Sequence, residues 1–528
     1  MSSRAFALAL IGLVVVATLG SVLDVMEVDA AQYASMSRDM LASKDWLQLH
    51  HRGQDYLDKP PLLFWLSALS FKLFGVHNWS YKLPSILFAF LGILATYRFS
   101  VLHYTKEIAR TAALMFGGSA AFLLMTNDVR CDTILTGSVI TAIWLGSAWI
   151  EQRRWWQLIG CAVAMASGML VKGPMGAMAP LLALGGEMFF KRKWGVLRDA
   201  RLYLVPVIVA ALLVPMCVGL YEQHGLHGSR FYFWEQSFGR LTGENRWKDD
   251  SSYFFFTHEV LWQTLPWTPL VLLGTWRSIT ALVKRRILNE YASTIGVLLV
   301  FIALSFSQFK LPHYLYAIMP LFAVLGAVGW QHISRRWLRS VQWAVVGALC
   351  VLLLLLLGYC FPEGAMPWLI GAVLALVAIA FSVRSRPPGE RLFAATFWSW
   401  IVVALVVNAH FYPYLLKYQA NAQAGKWAAV QQLAPDRFYG MQVSGTALDF
   451  YAGHPVRWLS DPGEARSVIV PGVTIYTDAE RYRELINAGF VPVHDSILPN
   501  YEVQLLGIDF ILRRSRDDVI EERHLLSY

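Results

Sequence analysis

The feature that most restricts this chain is the recurrence of apolar runs near 20 residues long, the length a helix needs to cross the hydrocarbon of a bilayer. The runs fall at 5–25, 83–103, 109–126, 133–150, 156–171, 175–190 and 202–221, then at 256–276, 291–307, 313–331, 341–360, 366–383 and 393–415. They predict a mainly α, polytopic helical bundle of about thirteen spans. A chain of 528 residues that is 56% hydrophobic and 15% charged cannot enclose that much apolar surface in one soluble core. Lipid has to act as part of its solvent. The first run follows Arg4, and Val28-Asp29-Ala30 has the small residues of a cleavage site. The run is longer than a signal-peptide core and further spans follow, so it reads as the first transmembrane helix.

The net charge of +9 could suggest a nucleic-acid partner, but the cations are grouped in short loops between apolar runs. That is the pattern of a topology signal, and no nucleic acid is expected. The groups are Lys106 and Arg110; Arg153 and Arg154; Lys191 to Arg198; Lys284 to Arg286; Arg335 to Arg339; and Arg384 to Arg391. They occupy alternate loops, which predicts a cytoplasmic N-terminus and a C-terminal domain outside. The five cysteines lie in or beside apolar runs and indicate no disulfide framework.

Residues 1–417 therefore read as the membrane domain, with long outer loops at 25–82 and 222–255 that contain amphipathic helices. Residues 418–528 lose the long runs and read as a small α/β domain outside the membrane. Strands are expected at Ser467–Tyr476 and Val503–Leu512, with a helix at Ala479–Ala488 between them.

The outer face is poor in positive charge, so its isolated ionisable residues are not needed for topology and mark a possible site. Asp29 opens a stretch with helical spacing and could serve either as an N-cap or as a carboxylate that takes a proton from an acceptor hydroxyl. Asp58 precedes Lys59-Pro60-Pro61 and an apolar helix, where it too could be a cap. Lys59 fits that reading poorly, because a cation is unfavourable at the positive end of a helix. A phosphate would suit Lys59 and the free helix N–H groups together. Asp128, Arg130 and Asp132 crowd one short outer turn that could simply be solvated. Lys172-Gly173-Pro174 and Lys310-Leu311-Pro312-His313-Tyr314 break helices on the same face, and either lysine alone could merely snorkel. Together with Lys59 and Arg240 they point to an anion-binding cluster. His258 lies in an apolar run and reads as a helix residue, not a ligand.

The succession Asp29-x-x-x-Tyr33, Arg38-x-Met40, Tyr56-x-Asp58-Lys59-Pro60-Pro61, Asp132-x-x-Leu135, Lys172-Gly173-Pro174 and Lys310-Leu311-Pro312-His313-Tyr314 resembles the GT-C class of integral membrane glycosyltransferases. Within that class it is most similar to the bacterial branch containing the lipid A aminoarabinose transferase and relatives of protein O-mannosyltransferases. The resemblance runs to about residue 415. It implies a polyprenyl-phosphate sugar donor, an active site at the outer surface of the bacterial inner membrane, and inversion at the anomeric carbon. Carried over by position, it implies Asp29 and Asp132 as catalytic residues. Lys59, Lys172, Lys310, Tyr314 and Arg240 would lie around the donor phosphate, and Tyr33, Arg38 and Glu235 would bind substrate.

The sequence departs from the family in two places. Ala30 stands where many relatives have Glu after the catalytic Asp, and Asp58 stands where the aminoarabinose branch has Glu. In relatives that position and a later-loop His can hold a metal; here the later loop offers only Asp249 or Asp250, so the resemblance implies a divalent ion on Asp58 and Asp249. No organic cofactor is expected. The acceptor would be a lipid A-like glycolipid, an envelope glycan or a protein. A multi-span transporter or lipid flippase is the alternative, although its ionisable residues would belong at mid-depth in broken helices. A ligase of long glycan chains would share the donor lipid.

Overall fold

The computed structural model describes residues 1–236, 239, 251–443 and 445–528. The first ten helices are α1 (Ser3–Ser21), α2 (Asp29–Ser43), α3 (Leu62–Phe74), α4 (Asn78–His103), α5 (Lys106–Gly117), α6 (Ala120–Asn127), α7 (Cys131–Gln152), α8 (Trp155–Lys172), α9 (Met175–Phe190) and α10 (Leu204–Arg230). Among the described residues eight helices are long and apolar enough to cross a membrane, nine if the bent pair α5 and α6 counts as one. This is an integral membrane protein. α7 lies at the centre of the bundle, with 94% of its apolar window buried, whereas the helix Met366–Arg384 turns most of its surface outward.

The apolar windows map onto helices, but several are not straight spans. The window 109–126 breaks by 53° between Gly117 and Ala120, where the Ser119 hydroxyl accepts from Phe122 N and starts α6 as a new helix. The window 256–276 divides into Phe255–Gln263 and Thr268–Val283. Pro266 lies between them, lacks an amide proton and disfavours helical geometry at Leu265. The windows 175–190 and 291–307 form helices of 16 and 14 residues, shorter than a standard span.

Two expectations about the outer loops change. Asp29 occupies the first turn of α2 without capping it, because the position before the helix is Val28. Asp58 is likewise not the cap of α3, which begins after Pro61. Neither carboxylate serves as a helix cap.

The C-terminal domain holds a five-stranded sheet of β3 (Phe438–Met441), β4 (Arg457–Leu459), β5 (Thr474–Asp478), β6 (His494–Asn500) and β7 (Glu521–Ser527), after a small hairpin of β1 (His50–His51) and β2 (Gln54–Asp55) in the first outer loop. The strand order is β4-β3-β5-β7-β6, parallel across β4, β3 and β5 and antiparallel thereafter. The expected strand at 467–476 is confirmed only as β5, and the expected helix appears as Ala479–Asn487. The stretch 503–512 is not a strand. It forms two short helical turns whose Val503 and Phe510 pack with Phe361, Leu415 and Leu416 at the end of the membrane domain, so its apolar residues serve domain docking.

That docking is polar as well. The half-buried Glu27 carboxylate accepts from Thr446 Oγ1 at 2.9 Å and Ala447 N at 3.0 Å, the start of the short helix Thr446–Ala452. Burial raises its pKa against the lowering effect of these donors. Arg52 Nη1 meets Asp449 at 2.5 Å, and Arg38 Nη1 donates to the backbone oxygens of Asp449 and Phe450.

Candidate functional site

The N-terminal ends of α2, α7 and α9, the C-terminal end of α8 and the segment after the helix Ala292–Ser305 surround a cavity of about 120 Å³. Its polar lining includes Asp29, Lys59, Arg130, Asp132, Lys172 and Tyr314. Residues separated by as much as 285 positions in the chain, from Asp29 to Tyr314, therefore share one space. Leu135, Met175, Met178, Ala303, Leu304 and Leu311 supply an apolar wall.

Lys172 is brought here by the tight connection between α8 and α9. Gly173 has φ +70°, a left-handed conformation that glycine adopts at little cost, and Pro174 follows at the start of α9. The two helices touch at Gly168 and Gly176, where a Cβ on Gly176 would lie 2.1 Å from the carbonyl carbon of Gly168. With the helices so close, the Lys172 ammonium reaches Asp132 at 2.5 Å and sits 4.1 Å from the centre of the Tyr314 ring. His313 Nε2 lies 3.7 Å from the other Asp132 oxygen. The Asp132 side chain is only 3% exposed, so this carboxylate is enclosed by its partners.

Asp29 has a different setting. Its side chain is 40% exposed and meets Arg130 Nη1 at 3.0 Å, while Arg130 Nε binds Asp128 at 2.7 Å. The Asp128 charge raises the Arg130 pKa against burial, with Asp29 adding to it. Burial acts to lower the Lys59 pKa, but the neighbouring Asp58 charge and their 2.5 Å contact hold it above its ordinary value. Lys59 is therefore a stable cation on the cavity wall.

Tyr33 lines the same cavity, buried edge-on against Phe64. Its burial, then the charges around it, keep the phenol protonated. Other expected site residues lie elsewhere. Arg38 contacts the C-terminal domain, as described above, and is not a cavity residue. Lys310 donates to Ser251 O at 3.1 Å and lies 5.8 Å from the Tyr253 ring centre, outside the cavity lining. Glu235 pairs with Arg230 at 3.2 Å. Arg240 and Asp249 lie outside the described residues.

The cavity also contains Arg130, His313 and Gln236, for which the sequence suggested no role. Gln236 donates to the Asp58 carbonyl and so ties the second outer loop to the first. For Arg130 the sequence did hold a signal: a cation between Asp128 and Asp132 can hold one carboxylate and present another.

Of the implied metal pair only Asp58 lies among the described residues, Asp249 being outside them. Asp58 already carries the Lys59 ammonium, and no three His, Cys, Asp or Glu side chains converge among the described residues. His258 is mostly exposed, with Glu259 its ion-pair partner among the described residues.

Residues 58–218 match the family described as dolichyl-phosphate-mannose-protein mannosyltransferase. An undecaprenyl phosphate-alpha-4-amino-4-deoxy-L-arabinose arabinosyl transferase of Pseudomonas aeruginosa is 26% identical over 311 residues, covering 56% of this chain and 54% of that protein. The chain thus spans about half the length of that relative. A second such transferase, from Pseudomonas fluorescens, is 26% identical over 424 residues, covering 77% of this chain and 67% of its own length. ArnT from Cupriavidus metallidurans bound to undecaprenyl phosphate superposes with a TM-score of 0.75 at 20% identity, covering 99% of this chain and 98% of that one. The fold is therefore that of ArnT from end to end, and the resemblance to GT-C membrane glycosyltransferases holds in both sequence and architecture.

Proposed function

We propose that this protein is an inverting membrane glycosyltransferase that moves a sugar from a polyprenyl-phosphate carrier to an acceptor at the outer face of the bacterial inner membrane. The observation that carries the reading is the convergence of Asp29, Lys59, Arg130, Asp132, Lys172 and Tyr314 on one cavity with an apolar wall. An anionic headgroup on an isoprenoid chain needs both surfaces. The names of the relatives, which act on undecaprenyl phosphate-linked aminoarabinose, support the same donor class. The arginine- and lysine-rich loops support a cytoplasmic N-terminus and an outer C-terminal domain.

In this mechanism Lys59 and Lys172 stabilise the phosphate as the C1–O bond to the carrier breaks and polyprenyl phosphate departs. The acceptor oxygen attacks C1 from the opposite side. Asp29 takes the proton of a hydroxyl acceptor or orients a phosphate acceptor, which has no proton to lose. Arg130 fixes the Asp29 carboxylate, and Asp132 sets the position of Lys172 between two partners. Arg38 braces the outer loop against the C-terminal domain, and Lys310 supports the margin of the site through Ser251.

The test is transfer from radiolabelled undecaprenyl-phosphate aminoarabinose to lipid A in membrane vesicles, with the anomeric configuration of the product read by NMR. Labelled product with inverted configuration is expected. Vectorial movement of intact donor without glycosidic bond formation would instead identify a flippase. If donor is cleaved but lipid A remains unlabelled, envelope glycan and protein fractions identify the acceptor.

A further inference from the structure

A second group of cations lies at the opposite end of the bundle, where two helices begin side by side. Arg336, Arg339, Ser340 and Trp343 come from the first turns of the helix Arg336–Leu355, and Pro388 and Arg391 from the start of the helix Pro388–Val406. They line an open recess of about 360 Å³. The recess is far from the transfer site, because the other end of the helix Arg336–Leu355 runs on to Cys360, whose carbonyl accepts from Arg516 of the outer domain.

The arrangement is electrostatically incomplete. Helix N-termini carry partial positive charge and favour acidic residues. Here neither helix has a side-chain cap; Arg336 and Arg339 open the first with no acidic residue in its first turn, and in the second Arg391 follows Glu390. Among the described residues no carboxylate lines the recess. The nearby Glu390 instead binds the N-terminal amine at 3.2 Å. Arg391 directs Nη2 to the carbonyls of Arg384 and Arg386, while its buried Nε meets no acceptor among the described residues. Topology alone calls for cations on this membrane face, but it does not require three arginines to line one concavity.

The surrounding surface faces lipid. Only 28% of the apolar window of the helix Arg336–Cys360 and 11% of that of Met366–Arg384 is buried. Trp337 and Trp343, 53% and 43% exposed, stand at the depth where the arginine loop meets the apolar run, the usual position of tryptophan at a membrane interface. We propose that this recess binds the phosphodiester headgroup of an anionic phospholipid in the leaflet opposite the transfer site. Arg336, Arg339 and Arg391 provide charge-assisted hydrogen bonds, the two helix starts add their dipoles, and Trp343 contacts the glycerol and upper acyl region. The site is separate from the proposed transferase activity and does not depend on it.

The full-length protein, delipidated in detergent and returned to micelles containing phosphatidylglycerol and phosphatidylcholine, tests the site by native mass spectrometry. One retained phosphatidylglycerol per chain is expected. R336Q/R339Q should weaken its retention on the order of tenfold to thirtyfold, as expected for two interfacial cations. K284Q/R285Q removes the same charge from an exposed loop on that face and should leave retention unchanged. Equal losses in the two pairs would reveal diffuse surface attraction and overturn the proposal, as would undiminished retention in R336Q/R339Q. Displacement of the lipid by millimolar inorganic phosphate would assign the recess to a free anion instead. If the double variant unfolds in phosphatidylcholine alone, R339Q carries the same comparison.

Discussion

The two aspartates of the outer cavity present the same functional group in opposite conditions. Asp132, at the start of α7, is 3% exposed and enclosed by Lys172 and His313. Asp29, at the start of α2, is 40% exposed and held on one side by Arg130. An enclosed, paired carboxylate costs much to disturb but has little freedom to meet a substrate. A half-open one held by a single cation contributes less to folding and can exchange a proton with an incoming group. In the proposed mechanism this contrast is the ground for giving the chemistry to Asp29 and positioning to Asp132.

The strongest way to break this division is D29N. Transfer should fall by roughly 10² to 10⁴, the usual contribution of a positioned general base, with the melting temperature and donor binding unchanged. Near-normal turnover with a hydroxyl acceptor would remove Asp29 from the chemistry. D132N addresses the other side. It leaves Lys172 buried without its anion and should cost about 3 kcal/mol in stability, as removal of one partner of a buried pair does. D132N/K172M should recover much of that stability in thermal unfolding while donor binding stays weak. If donor binding recovers as well, Lys172 does not hold the phosphate.

K59Q gives a smaller and more selective effect: KM for the donor should rise about tenfold, consistent with one charge-assisted contact, with little change in unfolding. The raised Lys59 pKa means that this cation persists through neutral pH and is lost only as pH rises through that elevated value. The difference in donor affinity between the parent protein and K59Q should therefore hold between pH 6 and about 9, a range that calorimetric titration of the donor can cover.

The smallest expected effect tests the contact behind Asp29. Glu27 lies two residues before it and is locked to the start of Thr446–Ala452. Its carboxyl pKa is raised, so its contribution to stability is full below the ordinary glutamate value and declines as pH rises through the raised one. Hydrogen exchange in Thr446–Ala452 should speed up across that interval in the parent protein and change less in E27Q. The difference should be about 1 kcal/mol. Identical pH profiles would show that this contact does not couple the C-terminal domain to the outer loop.

Much of the architecture was legible because partition into lipid depends on local composition. The apolar windows and alternating cation clusters need no knowledge of distant contacts, and they anticipated the helices from α4 to α10. Local chemistry also explains the misses. Pro266 divides one window, and the apolar residues of 503–512 were available either for a strand or for docking. Periodicity cannot choose between those uses.

The sequence by itself determined that the chain lives in a membrane, that its basic loops gather on one face, and that aspartates, lysines and tyrosines occupy the other. Only the tertiary structure decided their partners. It joined Lys172 to Asp132 and Arg130 to Asp29, and it assigned Arg38 to domain docking and Lys310 to the margin of the cavity. Hydrophobic partition acts on each run separately, whereas an ion pair depends on packing that brings together residues separated by 40 positions, as in Lys172 and Asp132, or by 397, as in Arg52 and Asp449.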